Sequence, residues 1–283
     1  MAKQTWLTCD YVEQLQQAAG AGRPVDSFVQ ALENATLPGI LEYGSAKWHC
    51  QGLAPLPAQI FSSPLGQSLQ EVRSELGLRT TGGQKIPPRT MTVHAYEFYV
   101  LEGTSSPTTE QCWGEFLVRF RQSAKSVGFD PQQAIGIAAA LGEMADNATI
   151  HAHAPVGVLV GYQVVNGAAV CCVADVGIGV LASLKTNATY QNLRNHREAV
   201  RMALQKGVSC LGPGGGNGFH KVFKALAAMS GTLRFRSGEG CVMMDGTGLE
   251  ADKGEETYVL FRPGFQVTIC CRTSKRPDSI PLV

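Results

Sequence analysis

The sequence predicts an α+β fold in which helices cover one mixed, mostly antiparallel sheet as a two-layer sandwich. Three observations lead there. Two long segments, Thr108 to Val127 and Pro131 to about His151, carry apolar residues at helical spacing. Strand-length apolar runs follow at Val156 to Val165, Ala168 to Ala174, Thr232 to Ser237 and Phe265 to Cys271. Asn166-Gly167, between the first two runs, is a strong signal for a tight hairpin and therefore for antiparallel neighbours.

Residues 1 to about 88 read differently from the rest. Tyr11 to Ala19 and Val25 to Leu37 have helical spacing. A loop-rich stretch with Pro38, Pro55, Pro57 and Pro64 comes next, then a short helix at Leu65 to Leu76. Thr80 to Pro88 is dense in Gly and Pro and marks a boundary. The expected organisation is a mainly helical and loop-rich regulatory or interaction region over 1–88, a main domain over 89–275 and a tail over 276–283.

In the main domain Met91 to Leu101 alternates as a strand. The helix over Thr108 to Val127 is amphipathic, with Phe116, Leu117 and Phe120 on one side and Arg119, Arg121 and Lys125 on others. Asp130 is a good N-cap, and Pro131 suits the first position of the next helix. That helix is rich in Ala, Ile and Leu and is expected to be buried. Tyr190 to Val208 reads as a basic helix, Phe219 to Met229 as another helix and Thr257 to Phe261 as a strand.

Bulk properties narrow the function classes. Lys plus Arg number 24 against 23 Asp plus Glu, which gives no charge excess for a nucleic-acid or polyanion binder. No apolar run reaches the ~18 residues of a membrane span. The start, Met-Ala-Lys-Gln-Thr-Trp, lacks the apolar core of a signal peptide. The nine cysteines contain no Cys-x-x-Cys, so buried free thiols in a reducing cytoplasm are expected.

Chemistry concentrates in three places. Glu143 and Asn147 stand four residues apart and so share one face of a helix otherwise built of Ala, Ile, Leu and Met. Burying such groups without partners costs on the order of 1–3 kcal/mol each. A Mg-nucleotide supplies partners: an amide oxygen is a hard ligand for Mg²⁺, and a carboxylate can take the proton of an attacking water or hydroxyl. Asp175, with Gly177 and Gly179, ends an apolar strand; its carboxylate can accept the exocyclic amine of adenine. Gly214, Gly215, Gly216, Asn217 and Gly218 precede a helix, where free backbone N–H groups can cradle phosphate. No Gly-x-x-x-x-Gly-Lys-[Ser/Thr] is present, so this is an ATP site without a P-loop.

Taken together these motifs resemble those of the GHKL (Bergerat-fold) ATPases, over roughly Met91 to Cys271. Leu141 to Ala152 looks like the family's N box, Val173 to Val180 like its G1 box and Gly214 to His220 like its G2 box, with the ATP lid between the last two. The resemblance implies a Bergerat fold, ATP and Mg²⁺ as ligands, Glu143 as general base and Asn147 as the metal ligand. It implies nucleotide contacts from Asp175, Gly177, Gly179, the 214–218 glycine segment and Thr257, the last placed near the adenine. Ile150-His151 and the lid segment Ala203 to Ser209 look most like the anti-sigma-factor serine kinases. Those proteins lack an N-terminal region like this one, and the ending Asn-Gly-Phe-His departs from the usual Gly-Leu-Gly-Leu. Three functions follow as expectations: an ATP-hydrolysing conformational switch, a protein serine/threonine kinase, or a non-catalytic nucleotide sensor. A protein partner or a second copy is expected beside ATP, with no nucleic acid and no membrane.

Overall fold

The computed structural model describes residues 6–49, 53, 56, 89–90, 94–101, 107–154, 157–209, 222, 226, 229, 231–245 and 255–273. The N-terminal segment pairs β1 (Trp6–Leu7) in parallel with β2 (Asn34–Ala35). Around them lie α1 (Cys9–Gly20), α2 (Asp26–Gln30) and α3 (Leu37–His49). The Thr8 hydroxyl accepts from the Tyr11 amide at 3.3 Å and caps α1. The helix expected over Val25 to Leu37 is instead the short α2 followed by β2. A helix also begins where the prolines suggested a loop. Pro38 sits in the first turn of α3, where a missing N–H breaks no helical bond, and Thr36 accepts from the Gly39 amide at 3.1 Å.

The main sheet contains β3 (Arg89–Thr90), β4 (His94–Leu101), β5 (Val158–Val165), β6 (Ala168–Ala174), β7 (Thr232–Ser237), β8 (Gly240–Asp245), β9 (Glu255–Tyr258) and β10 (Phe265–Arg272). Its order is β3-β4-β5-β6-β10-β7-β8-β9, with every neighbour antiparallel. Asn166 and Gly167 both take positive φ, 46° and 78°, and close the β5–β6 hairpin as expected. β8 was not legible, and β9 ends at Tyr258 rather than Phe261. The last strand, β10, inserts between β6 and β7 and brings the C-terminal segment to the middle of the sheet.

Two long helices, α4 (Pro107–Ser126) and α5 (Pro131–His151), cover one face. Asp130 and Gln133 form a reciprocal capping box at the start of α5. Phe116 and Phe120 of α4 pack with Ile137, Leu141 and Met144 of α5 on Val160, Val173, Val267 and Ile269 of the sheet. The alanines of α5, including Ala138, Ala145 and Ala148, allow that helix to lie close to the strands. Beyond the sheet core come α6 (Gly179–Lys185), a 3₁₀ turn (Ala188–Tyr190) and α7 (His196–Ala203). The single helix expected over Tyr190 to Val208 is thus interrupted. Asn195 takes the Glu198 amide at 2.9 Å and starts α7 afresh. Of the helix expected over Phe219 to Met229, the described Val222 and Leu226 are helical and buried. Leu65 to Leu76 lies outside the described residues.

The N-terminal helices cover the opposite face. Leu15, Leu41 and Tyr43 pack among Phe98, Val170, Cys172 and Cys270. Alternation along β7 points Leu233 and Phe235 into the first core and Arg234 and Arg236 into this second layer. Arg234 pairs with Glu42, Arg236 with Glu13, and Arg262 with both glutamates, at 2.9 Å to Glu13 and 2.6 Å to Glu42. Among the described residues all seven cysteines are free and buried, and no helix is long and apolar enough to cross a membrane.

Glu42 is 0% exposed and neutralises arginines that cannot reach water. Removing one partner of such a buried pair typically costs about 3–5 kcal/mol. Glu42→Ala is expected to lower unfolding free energy by that amount in urea titrations. Glu115→Ala, which removes an exposed 3.8 Å pair with Arg119, is expected to cost less than about 1 kcal/mol.

Candidate functional site

The site is built where the chain leaves β6 and turns back over the end of α5. The Ile178 amide donates to the Ala152 carbonyl at 2.9 Å and so satisfies a carbonyl at the helix C-terminus. Gly177 lies against that carbonyl: a Cβ there would come within 1.9 Å of the Ala152 oxygen. Any side chain at this position would push the turn off the helix. The Gly177 amide also donates to Asp175 Oδ1 at 2.7 Å, and the Asp175 amide donates to the Phe265 carbonyl at 3.0 Å.

These contacts aim one polar group into a cavity of about 100 Å³. Asp175 is 6% exposed, and its Oδ2 is buried with no hydrogen-bond partner among the described residues. Burial pushes the carboxyl up to about 6, against the stabilising pull of the Gly177 and Phe265 backbone bonds. Asn147 and His151, one turn apart on α5, line the same cavity, as does Gly179. His151 is pulled below its usual value by burial and by nearby His153. Val180, Leu184, Val208, Phe235 and Phe265 make the apolar walls, and Ser183 lies among them.

Asn147, Asp175 and Gly179 therefore come together from separate parts of the sequence. Gly177 supports them from the turn. Glu143 stands one helical turn before Asn147, half-buried, and is not among the residues lining this cavity. Thr257 is placed in the outermost strand, opposite Cys241. Gly214, Gly215, Gly216, Asn217 and Gly218 lie outside the described residues.

The sequence did not reveal the aromatic wall or the groups behind it. Phe235 and Phe265 meet edge to face with centroids 5.8 Å apart. Ser237 Oγ accepts from the Val180 amide at 2.9 Å and donates to the Gly264 carbonyl at 2.8 Å, tying the start of α6 to the end of the 259–264 segment. The strand pattern of Thr232 to Ser237 hints at the inward direction of Phe235. Leu184, Leu193 and Ala199 form a small core of their own beside the cavity, and Asn187 Nδ2 donates to the Ser209 carbonyl at 3.3 Å.

Among the described residues no group of three or more His, Cys, Asp or Glu side chains is placed to hold a metal ion. Mg²⁺ does not need such a group. It takes one or two protein oxygens and fills its octahedron with water and phosphate oxygens, a demand that the Asn147 amide can meet beside a bound triphosphate. No family model matches the chain, and no curated protein or solved structure matches it.

Folding raises the Asp175 pKa, so its contribution to stability is fully present below its usual value of 3.8 and is lost as pH rises through about 6. Relative to Asp175→Asn, wild type is expected to lose on the order of 2–3 kcal/mol of unfolding free energy between pH 4 and pH 7. Urea titrations of the two proteins at both pH values measure this difference. A pH-independent difference would count against the shift.

Proposed function

We propose that the chain is an ATP-binding protein of the GHKL type, a nucleotide-operated switch that hydrolyses Mg-ATP. The observation that supports this most is the buried Oδ2 of Asp175, without a partner among the described residues, in an otherwise largely apolar cavity. A carboxylate oxygen in that position needs a donor. The exocyclic amine of adenine is one, whereas guanine presents a carbonyl there and would leave two acceptors facing each other. Val180, Leu184, Phe235 and Phe265 offer the base an apolar slot.

The remaining roles follow the axis of α5. From Ala152, where the Asp175 turn docks, back to Glu143 is about 13 Å at the rise of an α-helix. That distance is comparable with an extended nucleoside triphosphate. Asn147 lies between the two ends and would hold Mg²⁺, which supplies neutralisation of phosphate charge. Glu143 lies at the far end, where a carboxylate can orient a water and take its proton. The glycine segment at 214–218 would add backbone N–H donors for the phosphates.

Labelled ATP tests this with three proteins. Wild type is expected to bind and release phosphate. Glu143→Ala should retain binding and lose turnover by about 10²–10⁴-fold. Asn147→Ala should lose Mg-dependent affinity. Absence of ATP binding by wild type would overturn the reading. Label transferred to a partner's Ser or Thr would make the activity a kinase, and binding without turnover would make it a sensor.

A pH series adds a second check. The adenine amine requires the ionised Asp175, so affinity should rise by up to tenfold per pH unit until about 6 and level off above it. Affinity that is flat between pH 5 and pH 7 would mean that Asp175 does not receive the base.

A further inference from the structure

We propose that Arg262 is a positioning residue for the nucleotide site, through which the N-terminal helices hold the Gly264–Phe265 backbone against Asp175. The inference rests on reading the Asp175 cavity as that site.

Arg262 lies in the connection between β9 and β10, outside any strand, where its backbone is held by its amide's bond to the Gly238 carbonyl at 3.3 Å. Its side chain is 2% exposed. The guanidinium donates to Gln16 Oε1 at 2.8 Å, Glu42 Oε2 at 2.6 Å and Glu13 Oε1 at 2.9 Å. All three partners belong to α1 or α3. The two preceding residues are tied to α1 as well: Gln16 Nε2 donates to the Phe261 carbonyl, and the Leu260 amide donates to Glu13 Oε2, both at 3.3 Å. Residues 260–262 are thus fastened to the N-terminal layer.

Two residues further on, the same segment meets the site. A Cβ on Gly264 would lie 2.1 Å from the Asp175 carbonyl oxygen and 2.6 Å from its Oδ1, so the two backbones are in direct contact. The Gly264 carbonyl accepts from Ser237, and the Phe265 carbonyl accepts from the Asp175 amide. Phe265 also lines two cavities. One is the Asp175 cavity; the other, about 10 Å³, is lined on the N-terminal side by Ser45, Arg236 and Arg262. A planar guanidinium with three fixed acceptors specifies orientation in a way that an ammonium cannot. Releasing it removes three of the side-chain ties to α1 and α3, leaves the segment on the weaker bonds of Leu260, Phe261 and the Arg262 amide, and loosens the backbone on which the Asp175 turn rests.

The experiment compares wild type, Arg262→Met, Arg262→Lys and Gln16→Met, the last remote from the cavity lining. Two readouts are used: ATP and GTP affinity, and amide hydrogen exchange at Gly177, Ile178 and Val180 in nucleotide-free protein, with Val160 in β5 as internal reference. Arg262→Met is expected to speed exchange at the turn tenfold or more relative to Val160, to weaken ATP at least tenfold and to narrow ATP-over-GTP preference. Arg262→Lys should fall between wild type and Met, and Gln16→Met should show the same effects at several-fold size. Folded variants with wild-type exchange at the turn would overturn the proposal. Should Arg262→Met not fold, Gln16→Met decides. Should wild type bind no nucleotide, the functional reading fails, and exchange at the turn alone decides the positioning role.

Discussion

Three arginines buried on one face of the sheet set the terms for the rest of the molecule. Arg234 and Arg236 follow from strand alternation: once Leu233 and Phe235 enter the main core, their neighbours must face the other way. Arg262 joins them from the 259–264 connection. A guanidinium is always charged, so burying it demands acceptors. Glu13, Glu42 and Gln16 of the N-terminal helices supply them, joined by the Leu260 carbonyl, which accepts from Arg236. The first residues of the chain are therefore packed against the sheet by ionic necessity as well as by Leu15, Leu41 and Tyr43. A hydrophobic face would have allowed those helices to slide. Fixed forks on fixed carboxylates allow one register.

The two faces consequently differ in kind. The α4–α5 face is apolar and aromatic, with Glu97 as its buried exception, held by Arg119 at 2.6 Å and by the Tyr162 hydroxyl at 3.0 Å. It provides the rigid platform on which α5 presents Asn147 and His151. The opposite face is polar and geometrically specific. The Asp175 turn sits at the end of β6 with the C-terminus of α5 on one side and Gly264 on the other. Backbone contacts to Ala152 on the first side and to Gly264 and Phe265 on the second secure it.

Much of this was legible locally. The Asp130 cap, the Asn166-Gly167 hairpin and the helix carrying Glu143 and Asn147 are encoded within a few residues, where spacing and turn chemistry decide the outcome. The misreadings have identifiable causes. Pro38 reads as a breaker until its place in the first turn of α3 is known. Gly240 to Asp245 lacks clean alternation, yet it pairs with β7 through all of its residues. The basic segment Tyr190 to Val208 has helical periodicity, but Asn195 takes a backbone amide and starts a new helix there. The partners of Arg262 are invisible for a different reason. They lie 220 to 249 residues away in sequence, and only the insertion of β10 into the sheet brings them together.

The same long-range assembly explains how the Asp175 turn can tolerate what it holds. Leaving Oδ2 buried without a donor opposes folding, and a mobile turn would relieve that strain by swinging the carboxylate to water. Here it cannot do so. Ala152 takes the Ile178 amide, Gly177 has no room to move past Ala152, and Gly264 blocks the other side. The local instability is carried by a fold strong enough to impose it, and it is relieved when a donor of the right geometry enters. Any donor entering the cavity would meet a carboxylate backed by the Ala152 carbonyl, Gly177 and Gly264. The N-terminal layer reaches the segment beside Gly264 through Arg262 without itself lining the cavity.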